Sequence, residues 1–71
     1  MNMELNTKFN IEDNVFFLNN NKVCEGCIER TTILIEADIV EIKYRIKVDR
    51  IFKYLLEDKV FSTKQELLDS L

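Results

Sequence analysis

The chain has no histidine, no proline and no tryptophan, and only one glycine and two cysteines among its 71 residues. Each shortage excludes something. Without histidine, the side chain that most often moves protons near neutral pH is missing, and general acid–base work would fall to carboxylates. The adjacent pairs Glu12-Asp13 and Glu57-Asp58 lie in turn-like sequence open to solvent, which suits them poorly to that work. A single glycine, Gly26, cannot build a phosphate-cradling loop or a nucleophile elbow. No enzymatic activity and no cofactor are therefore expected. Two cysteines permit at most one intrachain disulfide, so packing must hold the fold together. Long apolar runs are also absent: the longest, Val15 to Leu18, is far below the roughly 20 residues that cross a bilayer. No membrane partner is expected. The opening Met1-Asn2-Met3-Glu4-Leu5-Asn6 lacks the basic and apolar stretches of a secretory signal, and a cytoplasmic location follows as the expectation.

The residues present suit one small domain. Apolar residues make up 46% of the chain, and five Phe and two Tyr supply much buried area per residue. A chain this short removes only about 60% of its unfolded surface from water, so its core is small. We expect a flexible N-terminal segment over residues 1–8 and a single domain over 9–71.

The apolar pattern is that of strands. Val15-Phe16-Phe17-Leu18 ends in Asn19-Asn20-Asn21-Lys22, where asparagine tolerates left-handed backbone, and the pair reads as strand and turn. Gly26 inside the next run predicts a bulge or bend. The clearest signal follows: Val40, Ile42, Tyr44, Ile46 and Val48 alternate with Glu41, Lys43, Arg45 and Lys47, the period of a half-buried strand. A hairpin closed by Ala37-Asp38 sets Glu36 against Ile39, Ile35 against Val40 and Ile33 against Ile42, placing four β-branched residues on one inner face. One extra residue between Glu29 and Thr32 then brings Ile28 opposite Ile46, which predicts a bulge there. After Val48 the apolar residues hold no single period. We expect a short strand, a turn and an extended piece at Val60-Phe61, with Phe52 and Tyr54 in the core beside Leu55 and Leu56. A helix begins at about residue 63, capped by Ser62 or Thr63, with Leu67, Leu68 and Leu71 as its apolar stripe. Strands first and one terminal helix, with bulges that curl the sheet, favour a small antiparallel barrel.

Charge is unevenly placed. The net charge is −3, yet Lys43, Arg45, Lys47, Arg50 and Lys53 face only Asp49 between residues 43 and 53, a local +4. On a strand with its even-numbered residues inward, Lys43, Arg45 and Lys47 form an outer row, with Arg50 and Lys53 just beyond. That row can hold an anion or nucleotide, dock on an acidic protein surface, or pair with Glu25, Glu29 or Glu41 on neighbouring strands. Nucleic acid is not expected as a partner, because its affinity needs a wider positive footprint than one row on an acidic chain. Tyr54 could stack on a base beside the row. Cys24-Glu25-Gly26-Cys27 supplies two of the four ligands of a zinc site and no histidine completes it, so no metal is expected within one chain.

Three stretches carry a resemblance: Phe9-Asn10-Ile11-Glu12-Asp13-Asn14-Val15-Phe16-Phe17, Lys22-Val23-Cys24-Glu25-Gly26-Cys27-Ile28 and Tyr44-Arg45-Ile46-Lys47-Val48. With the close at residues 57–68, they resemble the small SH3-like barrel proteins of phages and mobile elements in low-GC bacteria. The resemblance implies an SH3-like antiparallel barrel with a short C-terminal α-helix, and an accessory protein of phage or prophage. Many such proteins inhibit bacterial immunity, which makes an anti-phage defence factor of the host cytoplasm the implied partner. Two functions are thus expected as alternatives: an inhibitor that occupies a host protein surface, or a homo-oligomer that sequesters an anionic signalling nucleotide in a basic pocket between subunits. The candidate binding residues for either are Lys43, Arg45, Lys47, Arg50, Lys53 and Tyr54.

Overall fold

A computed structural model describes residues 6–71, so residues 1–5 of the expected flexible segment 1–8 lie outside the described residues. Four antiparallel strands follow one another in space as in sequence: β1 (Asn14–Asn19), β2 (Lys22–Glu36), β3 (Ile39–Val48) and β4 (Ile51–Leu56). A 3-10 turn over Glu57–Lys59 and one α-helix, α1 (Lys64–Asp69), complete the fold. None of the described helices is long and apolar enough to cross a membrane.

Tight turns explain the meander. Asn20 and Asn21 both take left-handed backbone (φ 54° and 63°), the geometry of a two-residue turn whose twist matches the flanking strands. Ala37 (φ 52°) and Asp49 (φ 55°) do the same work in the next two hairpins. The register between β2 and β3 follows the hydrophobic pattern: Glu36 faces Ile39, Ile35 faces Val40, Ile33 faces Ile42 and Ile28 faces Ile46. The shift that permits this falls between Ile28 and Arg30, making Glu29 the extra residue of the bulge.

Gly26 plays a different part from the expected bulge. It stands in unbroken register with Val15 and without positive φ. A Cβ there would lie 2.6 Å from Ile46 Cγ2 and 2.7 Å from the Lys47 carbonyl oxygen. Glycine is required by this close approach of β3 to β2.

The core is one cluster of Phe9, Val15, Phe17, Ile28, Tyr44, Ile46 and Val60, with Cys24, Ile42, Val48 and Leu55 packed against it. Leu67 is fully buried where α1 meets β1. Of the expected helical stripe it alone is covered, because in a six-residue helix Leu68 points about 100° away and Leu71 lies past the last turn. Thr63 caps the helix, its Oγ1 accepting the Glu66 N–H at 3.1 Å, while Ser62 Oγ donates to Glu66 Oε1. Tyr44 lies edge-on to Phe9, and its buried hydroxyl joins three segments. It accepts the Phe9 N–H at 3.3 Å and donates to Glu57 Oε2 at 2.5 Å, an oxygen that also accepts the Lys8 N–H.

Two features depart from the expected barrel. The four-stranded sheet is open, β4 pairing only with β3, although Phe61 adds a two-bond bridge to the free edge of β1 at Phe16. The far end of the β2–β3 hairpin also runs beyond the core. Ile33, Ile35 and Val40, expected on a buried inner face, are 37–46% exposed. The reason is length: β1 pairs β2 only as far as Cys27 and β4 pairs β3 only as far as Lys43, so nothing described covers the hairpin's last residues.

Candidate binding face

The alternation in β3 places Lys43, Arg45 and Lys47 in one outward row, opposite the buried Tyr44 and Ile46. The two-residue turn at Asp49-Arg50 then sets the register of β4, so that Lys47 faces Phe52, Arg45 faces Tyr54 and Lys43 faces Leu56. Directly opposite strand partners share a face, so a row of large apolar side chains runs beside the row of cations. Tyr54 is 66% exposed, and Phe52 and Leu56 are also open to solvent. Phe52 and Tyr54 are therefore surface residues and not the core residues expected of them.

Arg45 is the centre of this face. Its guanidinium carbon lies 3.9 Å from the centroid of the Phe52 ring, a cation–π contact. Its Nε is 3.3 Å from Glu29 Oε1, which the bulge brings alongside. That contact is an ion pair without hydrogen-bond alignment, and Nε is shielded from solvent with no hydrogen-bond partner. Lys43 pairs with Glu41 two residues away on the same strand face, at 3.2 Å. Lys47, by contrast, is exposed and makes no ion pair among the described residues.

The remaining candidates separate. Arg50 is exposed in the β3–β4 turn, at the end of the row. Lys53 faces Ile46 and therefore lies on the opposite side of β4 from Phe52 and Tyr54, so it does not extend the row. An inward-facing lysine in the middle of an edge strand discourages another strand from pairing there. Sequence reasoning missed Arg30, which the bulge sets directly opposite Arg45 and so adds to the cationic face. Only the location of the bulge could have revealed it, since Glu29 and Arg30 exchange partners if the extra residue moves by one.

Cys24 faces Phe17 on the inner side of β2, whereas Cys27, three residues along, faces Lys47 on the outer side. Strand geometry thus points the two thiols to opposite faces, where they cannot share a metal or a disulfide within one chain. The recesses in the surface reach this face only at its ends, at Leu56 and at Arg50. One is lined by Lys8, Phe9, Phe61 and Glu66, another by Leu18, Leu55 and Leu71, and a shallow one at the β3–β4 turn includes Arg50. Lys43, Arg45 and Lys47 line none of these recesses, and an open face of that kind meets a surface more readily than it encloses a small molecule. Comparison with protein-family models, with curated proteins and with solved structures gives no match to this chain.

Proposed function

We propose that the chain is a non-enzymatic binding protein that occupies the surface of a partner protein through the outer face of β3 and β4. The observation that carries this reading is the register of Arg45 with Tyr54 and of Lys47 with Phe52, which lays exposed aromatic rings beside cations. Tyrosine and arginine are the residues most often found to dominate protein interfaces, since they combine large contact area with directed polar groups. The partner surface is acidic, which the cations attract at long range while the rings supply the buried area.

The bridge from Phe16 to Phe61 and the 3-10 turn between β4 and that bridge are compatible with an SH3-like barrel closing through residue 61. With the resemblance to phage proteins of that kind, the proposed partner is a bacterial defence protein in the host cytoplasm. A second reading, sequestration of an anionic nucleotide between subunits, is favoured by one observation: the shielded Arg45 Nε that has no aligned acceptor.

The test is affinity capture from bacterial extract with the wild type, a Tyr54→Ala, Lys47→Glu variant, and a Lys59→Glu control outside the face. A partner retained by the wild type and the control, lost from the face variant and weakened by rising salt, is the expected result. Retention indifferent to the face variant refutes the reading. Denaturation of native protein that releases a nucleotide selects the second reading instead.

A further inference from the structure

The β2–β3 hairpin beyond the core is a two-stranded arm that is apolar on both sides. Ile33, Ile35 and Val40 stand exposed on one face, and Leu34 and Ile39, 53% and 68% exposed, on the other. An isolated two-stranded hairpin is marginal in water. The arm also has an open edge. Ile28 is the last residue of β2 bonded on the β1 side, its N–H donating to the Asp13 carbonyl and its carbonyl accepting the Glu12 N–H. From Arg30 to Glu36, β2 pairs with β3 alone.

The direction of the backbone groups on that edge follows from the hairpin. A two-residue turn makes Glu36 and Ile39 a hydrogen-bonded pair, and every second residue back along β2, namely Leu34, Thr32 and Arg30, repeats it. Thr31, Ile33 and Ile35 therefore direct their N–H and C=O groups outward. No lysine, proline or bulge guards this stretch, in contrast to the Lys53 that guards β4.

We infer that this edge pairs antiparallel with the same edge of a second copy about a two-fold axis through Ile33. In that register Ile33 faces Ile33 of the other copy and Thr31 faces Ile35, so that three pairs each exchange two backbone hydrogen bonds. The register is chosen by charge. It sets Arg30 opposite Glu36 of the second copy, twice over by symmetry. Within one chain Arg30 faces Arg45 and Glu36 faces Ile39, and neither forms an ion pair among the described residues. Shifting the axis by one residue in either direction leaves Arg30 against Leu34 or Asp38 and removes the Glu36 pairing. The resulting dimer carries one continuous sheet of β4-β3-β2 from each copy, and the inference does not rest on the proposed partner contact, although Arg30 lies on the same outer face.

Sedimentation velocity across a concentration series tests this. The wild type is expected to dimerise, and Arg30→Glu or Glu36→Arg alone is expected to weaken dimerisation roughly tenfold or more, because each sets like charges opposite each other at two places. The double variant restores it, and an equimolar mixture of the two single variants forms the mixed dimer in preference to either self-dimer. Ile33→Pro removes only an outward N–H, spares the bonds to β3, and gives a folded monomer. Circular dichroism melts confirm that each variant is folded. A wild type that stays monomeric throughout overturns the inference, as does a dimer unaffected by the single reversals and the proline.

Discussion

Tyr44 ties the N-terminal segment, the core strand and the 3-10 turn together through one oxygen, and removing that oxygen tests the whole arrangement. In Tyr44→Phe the ring still fills the core against Phe9, but the Phe9 N–H loses its acceptor and the Glu57 carboxylate loses a donor. A hydrogen bond to a charged group contributes about 1.5–3 kcal/mol, so a loss of about that size is expected in urea melts at neutral pH. A second signature is the pH dependence. Burial, and after it the hydrogen bond to Glu57, pushes the Tyr44 hydroxyl up from 10.0 to about 12. A phenol whose folded pKa is raised stays protonated in the native state while the unfolded chain ionises. Its contribution is therefore fully present below pH 10 and is lost as pH rises from about 10 to about 12. The slope approaches 1.36 kcal/mol per pH unit, and the total is at most about 2.7 kcal/mol. The stability of the wild type should fall more steeply than that of Tyr44→Phe across this window, with the two curves converging at its upper end. Because the chain has two tyrosines, a Tyr54→Phe background lets ultraviolet titration follow Tyr44 alone. Equal stability of wild type and Tyr44→Phe at neutral pH, or parallel curves above pH 10, would refute the reasoning.

Two further outcomes follow from local geometry. Gly26→Ala forces a methyl against Ile46 and against a backbone carbonyl that cannot turn aside, so a loss of about 1–3 kcal/mol or more is expected, and an unchanged urea midpoint would show that β3 does not approach as described. Thr63→Ala removes the acceptor for the Glu66 N–H and should lower stability by about 0.5–2 kcal/mol, whereas Thr63→Ser should restore most of it.

The strand register was legible because several independent constraints agreed. Two-residue turns, β-branched pairs and the need to keep Ile28 opposite Ile46 left one arrangement of β2 on β3, including a bulge within a residue or two of its position at Glu29. The cap at Thr63 was legible for the same reason, since the capping residue and its Glu66 partner sit at fixed spacing. Burial along the arm was not. Alternation tells which residues share a face, but whether that face is covered depends on how far β1 and β4 extend, and those strands stop at six residues each.

The candidate face shows the same division between register and coverage. Period two in β3 was sufficient to align Lys43, Arg45 and Lys47, and it holds in the fold. In β4 the run Ile51-Phe52-Lys53-Tyr54-Leu55-Leu56 is apolar on both sides, so composition could not say which side faces the core. The turn decides it: with Asp49-Arg50 at its corner, Phe52 must face Lys47 and Tyr54 must face Arg45, while Lys53 turns inward. The aromatic residues best suited to the core by their hydrophobicity are thereby placed beside the cations, and Lys53, best suited to the cationic row by its charge, is placed away from it. Local propensity would not have put them there. A sequence that keeps Phe52 and Tyr54 in that register accepts exposed aromatic area on a small domain, which is a cost in solubility and no gain in core packing. The partner contact proposed above would offset that cost by covering the rings, and the same reasoning applied to the unguarded edge of β2 leads to the proposed second copy.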